Sequence, residues 1–416
     1  MTGGIYRDRP GVADLAPATG ELATALGQDI WMSPGVSNAY ALGTDDGRVI
    51  INTGLIFEGP LRKQAFEPSC SGPTRTIIVT QGHPDHWGGV TSLREPGTEV
   101  VMHVNYRIWR DDSQRLMQFR MRNTSFGFGH IATAMAENLK TMDLSALDMS
   151  YPEPTVTFDD TLEPEVGGRK FVLLATPGGE TTDSLVVWLP DDRVLFTGNL
   201  FGPLFGVVPN LSTIRGDRYR DPLQYIDALN AVLSFGPERI ITGHFDPIDG
   251  ADRITEEVTA MRDAMQWVHD RTVEGMEAGK DVHTLMSEIS VPAHLDVGEG
   301  YGKTAWNVRA IWEMYSGWFH HRATTELYHV PPAAVAGDLV AAAGADALLQ
   351  AARVHLDGGR PLEALHLTEL VLSVDGNNDA ARAIGVEAHE QLFASAENYW
   401  ERAWLTKSIN ELRTTS

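Results

Sequence analysis

The first 250 residues alternate short apolar runs with turns rich in glycine and proline. DIWMSP (29–34), SNAYAL (37–42) and GRVIINTG (47–54) are spaced as successive strands. RTIIVT (75–80), bounded by Pro73 and Gly82, carries three consecutive apolar residues and predicts a buried strand. EVVMHV (99–104), KFVLLATPG (170–178), SLVVWLP (184–190), RVLFTG (193–198) and PERIITGH (237–244) continue the pattern. Between the last two lies DPLQYIDALNAVLSF (221–235), whose apolar positions recur at helical spacing. Strands interleaved with helices predict an α/β layered fold.

The texture changes near residue 251. RITEEVTAMRDAMQWVHDRTVEGMEAG (253–279) has one long helical period ending at glycine. A segment with Pro292 and several glycines follows, and from Tyr301 nearly everything reads as helix. Residues 345–394 suggest helical hairpins with alanine-rich seams, since small residues let helices approach closely. The expected organisation is a catalytic domain over 1–250, with an N-terminal arm over 1–25, a helical linker over 251–300 and an all-α domain over 301–416. No catalytic cluster stands out in that last domain, which reads as a packing and oligomerisation element.

Charge and cysteine content narrow the chemistry. The 416 residues carry 33 basic and 56 acidic side chains, a formal charge of −23, which disfavours nucleic acid and anionic membranes as partners. No apolar run is long enough for a membrane span, and the N-terminus lacks a signal-peptide run, so a cytoplasmic protein is expected. Cys70 is the single cysteine, so any metal must be held by nitrogen and oxygen.

Such donors crowd into TQGHPDHWGG (80–89), directly after the RTIIVT strand. His83, Asp85 and His86 suit zinc, with iron or manganese as alternatives. Glu180 after ATPGG, Asn199 after LFTG and His244 after IITG each follow a strand and a glycine. Taken singly these are ordinary turn residues; together with the histidine cluster they form a coherent site.

The ordered set QxHxDH, TPGGE, FTGN and TGH resembles the metallo-β-lactamase superfamily over roughly residues 25–250. Glutamate in TPGGE, the segment NLSTIRGDRYRDP (210–222) and YGKTAWNVRAIWEMYSGWF (301–319) resemble the alkylsulfatase branch, and that likeness runs on to about residue 413. The resemblance implies an αββα sandwich followed by an all-α dimerisation domain, hence a homodimer. It also implies two metal positions, one at Gln81, His83 and Glu180 and another at Asp85, His86 and His244, with Asn199 at the bridging place. The superfamily's usual motif has histidine where Gln81 stands and a carboxylate where Asn199 stands. Amides carry no charge and bind zinc more weakly than imidazole, so one ion or two is left open.

The expected activity is hydrolysis of a sulfate ester, or a similar small organic anion, by a metal-activated water. Asp85 would orient that water and accept its proton. Arg215 offers a planar fork to the anion and Thr213 a hydroxyl; a surface ion pair to Asp217 or Asp221 is the plainer account of Arg215. Alternatives are hydrolysis of an ester, lactone or thioester, or a non-catalytic dimeric binding protein with a degenerate site. The chain ends where known alkylsulfatases continue into a lipid-carrier-like domain, which argues against long-chain alkyl sulfates. Residues 108–130 are expected to pack as ordinary helix, or else to form an amphiphilic wall near the metal. The apolar loop 201–209 is expected to touch substrate.

Overall fold

The computed structural model describes residues 5–140 and 147–414. The described chain divides into two compact units, up to Met314 and from Tyr315 onward.

The first unit holds two main sheets. One has seven strands in chain order: β1 (Thr24–Gly27), β2 (Ile30–Ser33), β3 (Ala39–Thr44), β4 (Gly47–Ile51), β5 (Thr74–Ile78), β6 (Glu99–His103) and β7 (Val156–Phe158). β1 to β4 pair antiparallel, and β4 to β7 pair parallel. The other sheet draws on β8 (Thr161–Leu162), β11 (Val172–Ala175), β12 (Leu185–Leu189), β13 (Val194–Gly198), β14 (Arg239–Thr242) and β15 (Ile248–Asp249), in the order β15-β14-β13-β12-β11-β8. A two-stranded ribbon, β9 (Glu165–Val166) with β10 (Arg169–Lys170), stands apart.

Side-chain alternation builds the layers, because successive residues of a strand face opposite sides. Along β12, Leu185, Val187 and Leu189 enter a core shared with β2 to β5, while Val186 and Trp188 face the opposite side. Along β4, Val49 and Ile51 enter that shared core and Ile50 faces away. The two sheets are therefore packed face to face. Helices cover both outer faces: Gly59–Phe66 and Tyr106–Arg115 on the first sheet, Pro222–Phe235 and Ala251–Glu277 on the second. The result is the expected αββα sandwich.

Residues 251–300, read from sequence as a linker, belong to the first unit. Helix Ala251–Glu277 buries Ile254, Val258, Met261, Met265 and Val268 against the second sheet's outer face, at helical spacing. Each such burial contributes about 1.5–3 kcal/mol relative to exposure. The second unit contains helices Ala345–Asp357, Pro361–Val374, Asp379–Ser395 and Tyr399–Arg413. Ala352, Ala364, Ala381 and Ala388 line its fully buried seam, as the alanine pattern predicts. Asn378 and Asn398 cap the last two helices by accepting from Ala381 N and Trp400 N. Among the described residues, no single helix is long and apolar enough to cross a membrane.

Strand direction positions the site. β11 and β13 both pair antiparallel with β12, and β13 pairs parallel with β14, so these three share one direction. Their carboxyl ends carry TPGGE, Asn199 and His244 to the same edge. β5 delivers the 80–89 loop there, and Leu185 N donates to Thr80 O at 2.9 Å, tying the loop to the second sheet.

A fully buried pair, Glu58 and Arg62, ties three loops together at that edge. Arg62 Nη2 lies 3.7 Å from Glu58 Oε2. Arg62 donates to the carbonyls of Ser33, Pro34 and Ser37, and Glu58 accepts from Ala18 N, Val36 N and Leu55 N. Gly35 has no side chain for a physical reason: a Cβ there would sit 2.0 Å from Arg62 Nη2. Replacing Arg62 by methionine is expected to cost about 3–5 kcal/mol, because Glu58 stays buried without its cation. Urea unfolding reads this directly, and a loss below about 0.5 kcal/mol, typical of a surface substitution, would refute the structural role.

Candidate metal and substrate site

The 80–89 loop is held from several sides. Asn52 Oδ1 accepts from Thr80 N at 2.9 Å and from Thr80 Oγ1 at 3.1 Å. Helix Pro84–Trp87 starts with His83 at its N-cap, and Trp87 Nε1 donates to Gly82 O at 2.7 Å. Thr53 N donates to His86 O at 2.8 Å, and Ser37 Oγ donates to Asp85 O. His244 Nδ1 donates to Val36 O at 2.6 Å. A carbonyl only accepts, so that bond puts the ring proton on Nδ1 and leaves Nε2 bare.

Asp85, His86 and His244 converge. Their ligand atoms lie within 4.8 Å of one another. His86 Nε2 stands 3.5 Å from Asp85 Oδ2 and has no hydrogen-bond partner, although it is fully buried. Burial pushes the His86 pKa down to about 3 against the pull of Asp85. Burial lowers His244 as well, with Asp85 again opposing. Burial alone would raise Asp85, but His86, His244 and His83 hold it below the usual carboxylate value. Near neutral pH the trio therefore offers two neutral imidazoles and one carboxylate, a donor set that fits a divalent ion with places left open. The buried and unpartnered His86 Nε2 is the structural sign of that fit.

The other expected donors lie at the same edge in different company. Gln81 Nε2, which can only donate, is 2.9 Å from His83 Nδ1, so in the neutral ring His83 Nε2 carries the proton. Nε2 is 3.8 Å from Asp217 Oδ2 and 3.4 Å from Arg215 Nη2. Glu180 Oε1 lies 3.5 Å from Arg215 Nη2 and 3.4 Å from Arg220 Nη2. Asn199 Nδ2 donates to His244 Nε2 at 3.0 Å, and its buried Oδ1 has no partner. Thr213 is buried in the turn closed by Gly216 N and Thr213 O, and does not line the cavities described below.

A cavity of about 260 Å³ opens above the trio. Asp85, Glu180, Asn199, Arg215 and His244 face it from one side, while Val12, Leu15, Ile131, Met135 and Tyr301 supply an apolar wall. A neighbouring cavity of about 240 Å³ shares His83, Asp85 and Arg215 and is walled by Trp109, Met117, Met121 and Tyr151. Segment 108–130 therefore contributes a wall: Met117 and Met121 are exposed and line this cavity beside the largely buried Trp109. The loop 201–209 behaves otherwise than expected. Phe201, Phe205 and Val208 join the core on the second sheet's outer face, and Pro203 is the residue of that loop on the cavity wall.

Arg215 is largely buried and lies 3.5 Å from Glu180, and of the two aspartates named for a surface pair Asp217 acts on it; burial, which opposes its charge, is outweighed by Tyr301, Glu180, Asp217 and Asp85. Asn307, on helix Thr304–Ser316 within the first unit, holds the 210–222 segment: it donates to Pro209 O at 2.8 Å and accepts from Leu211 N at 3.2 Å. Sequence reading missed Arg220 and the arm residues Val12 and Leu15, and took Asp217 only as a surface partner of Arg215. Arg220 and Asp217 sit within the RGDRYRDP run, but local spacing does not mark which of its charges turn inward.

Comparison with known proteins accords with this geometry. Residues 32–244, just over half the chain, match the metallo-beta-lactamase superfamily, and residues 282–415 match alkyl sulfatase dimerisation. A linear primary-alkylsulfatase from a Pseudomonas strain is 28% identical over 88% of this chain and 72% of its own length. An alkyl/aryl-sulfatase of Saccharomyces cerevisiae is 26% identical over 82% of this chain, which spans 55% of that protein. A solved stereoselective inverting sec-alkylsulfatase from Pseudomonas superposes with a TM-score of 0.81 at 21% identity, over 97% of this chain and 70% of that one. The chain belongs to the metallo-β-lactamase superfamily, in its alkylsulfatase-like branch. It is a hydrolase of that fold.

The histidine shifts carry a stability signature. Both His86 and His244 have folded pKa values below the ordinary 6.5, so the unfolded chain takes up protons first as the pH falls. Stability of chelator-treated protein is expected to be full above about pH 7 and to decline from about 6.5 toward 3, and the decline should be shallower in His86→Gln. Urea midpoints across that range test this; equal slopes for both proteins would contradict it.

Proposed function

We propose that this chain hydrolyses sulfate esters of small organic alcohols, converting ester and water to alcohol and hydrogen sulfate, at a cation held by Asp85, His86 and His244. The observation that carries the reading is the juxtaposition of that open donor trio with the Arg215 guanidinium, beneath a cavity with an apolar wall. Zinc suits the donors best, and iron or manganese are compatible with them. When bound, such a cation supplies Lewis acidity and makes water acidic near neutral pH.

The protein's own groups supply the rest. Arg215 grips the anionic head through its planar fork, and its contact with Glu180 fixes the guanidinium before substrate arrives. Arg220, donating to Asn210 O, steadies Glu180 from the other side. Asp85 is ionised and positioned to accept a proton from the attacking water. Val12, Leu15, Ile131 and Met135 exclude water and receive the organic group. The alkylsulfatase names of the relatives support the sulfate ester as substrate.

We also infer a homodimer built by the second unit. Its match to alkyl sulfatase dimerisation supports this, as do Trp318 and Tyr328, exposed at 71% and 66%.

Sulfate release from short and bulky esters, followed by ion chromatography, is the direct test. Arg215→Ala is expected to lower kcat/KM about 10- to 100-fold, the value of a hydrogen bond to a charged group. His86→Ala is expected to abolish both cation binding and turnover while the protein still sediments as a dimer. Cleavage of carboxylic esters or lactones with no sulfate released, or unchanged turnover in His86→Ala, would overturn the reading.

A further inference from the structure

We infer that this protein holds one cation, at Asp85, His86 and His244, and that the Arg215 guanidinium occupies the place beside Gln81, His83 and Glu180 where a second ion would have to sit. The inference rests on the metal reading of the trio given above, and goes beyond it in assigning a role to the second donor group.

Three geometric facts support it. Both nitrogens of His83 are occupied: Nδ1 accepts from Gln81, and Nε2, which carries the ring proton, faces Asp217 Oδ2 at 3.8 Å while Arg215 Nη2 fills the space 3.4 Å away. In the trio His244 is likewise bonded at both nitrogens, to Val36 O and Asn199 Nδ2, but His86 Nε2 has no hydrogen-bond partner. Glu180 is buried and contacts two guanidinium groups through one oxygen, Arg215 at 3.5 Å and Arg220 at 3.4 Å. Arg220 cannot easily withdraw, because it too is buried and its Nη1 donates to Asn210 O. Asn199, which faces the trio, is a neutral amide and places no negative charge between two positive centres.

Charge balance leads to the same conclusion. Around the second donor group, Glu180 and Asp217 meet Arg215, Arg220 and Arg120, the last 3.3 Å from Asp217 Oδ1. Adding Asp85 makes three carboxylates against three guanidinium groups; the buried Asp183 beside His83 is a fourth carboxyl, which burial pushes toward its neutral form. One divalent ion leaves up to two surplus positive charges, which an anionic substrate and ionised water can offset. A second adds two more in a largely buried site, close to two arginines. Arg215 thus supplies fixed positive charge facing the substrate where an exchangeable ion would otherwise be needed. The Gln81 amide completes the arrangement by holding the His83 ring.

Cobalt(II) titration of the chelator-treated full-length protein tests this without any variant. The visible ligand-field absorption should saturate at one equivalent, and elemental analysis of the desalted protein should give one ion per chain. His83→Asn and Glu180→Gln should keep that ion, and His244→Asn should lose it. The combined change Gln81→His, Asn199→Asp and Arg215→Ala should raise the count to two. Two ions in the unaltered protein, or an ion lost in His83→Asn but kept in His244→Asn, would overturn the inference while leaving sulfate ester hydrolysis standing. No bound ion at all would overturn both. One ion with no sulfate released would sink the proposed activity alone and uphold the single-ion assignment.

Discussion

The buried pair of Glu58 and Arg62 is the constraint on which the site's geometry depends. Neither side chain is exposed to solvent, and between them they engage backbone groups from the N-terminal arm, the 33–37 loop and the turn after β4. Val36 N is one of those groups, and Val36 O is the acceptor that sets the His244 tautomer. Ser37, whose carbonyl accepts from Arg62, reaches Asp85 O with its hydroxyl. The ligands at the end of β14 and in the 80–89 loop are thus referred to one fixed point outside the site. A buried ion pair is a poor source of net stability, but it has few alternative arrangements. Here that rigidity bears on donors that must converge within a few ångströms.

The two sheets contribute unequally to the chemistry. The first supplies the loop with the motif, and the second supplies Glu180, Asn199 and His244 from three strands that share a direction. Thr80, bonded to Asn52 on one side and to Leu185 N on the other, is where the sheets are connected. Gly243 adjoins this meeting point, and a Cβ there would lie 2.2 Å from Asn199 Oδ1 and 3.0 Å from His86 Cε1. The glycines after these strands therefore serve close approach between the halves of the site.

Much of this was legible in the residues. Nine strands lie where apolar runs predicted them, and the alanine seam of the C-terminal unit was visible as composition. The trio Asp85, His86 and His244 was readable because each lies in the segment that follows a strand and carries unmistakable ligand chemistry. The part that escaped reading depends on tertiary neighbours. Nothing local shows that Arg220 turns inward while Arg218 faces Asp112 at the surface, since both occupy the same short run. The 201–209 loop looked like a substrate contact because it is apolar and glycine-rich, yet its phenylalanines found a larger apolar surface beneath the helices. The 251–277 helix showed its period in the sequence, but periodicity alone does not say which surface the apolar face meets.

The apolar wall of the larger cavity comes from three places far apart in the chain: the arm at Val12 and Leu15, the helix carrying Ile131 and Met135, and Tyr301. None of these side chains is among the candidate donors. Substitutions there can reshape the cavity without disturbing the donor trio, so selection can act on the two separately. This arrangement leaves the scaffold free to diversify what its cavity accepts by drift in peripheral segments, while the donors at the strand ends stay constant.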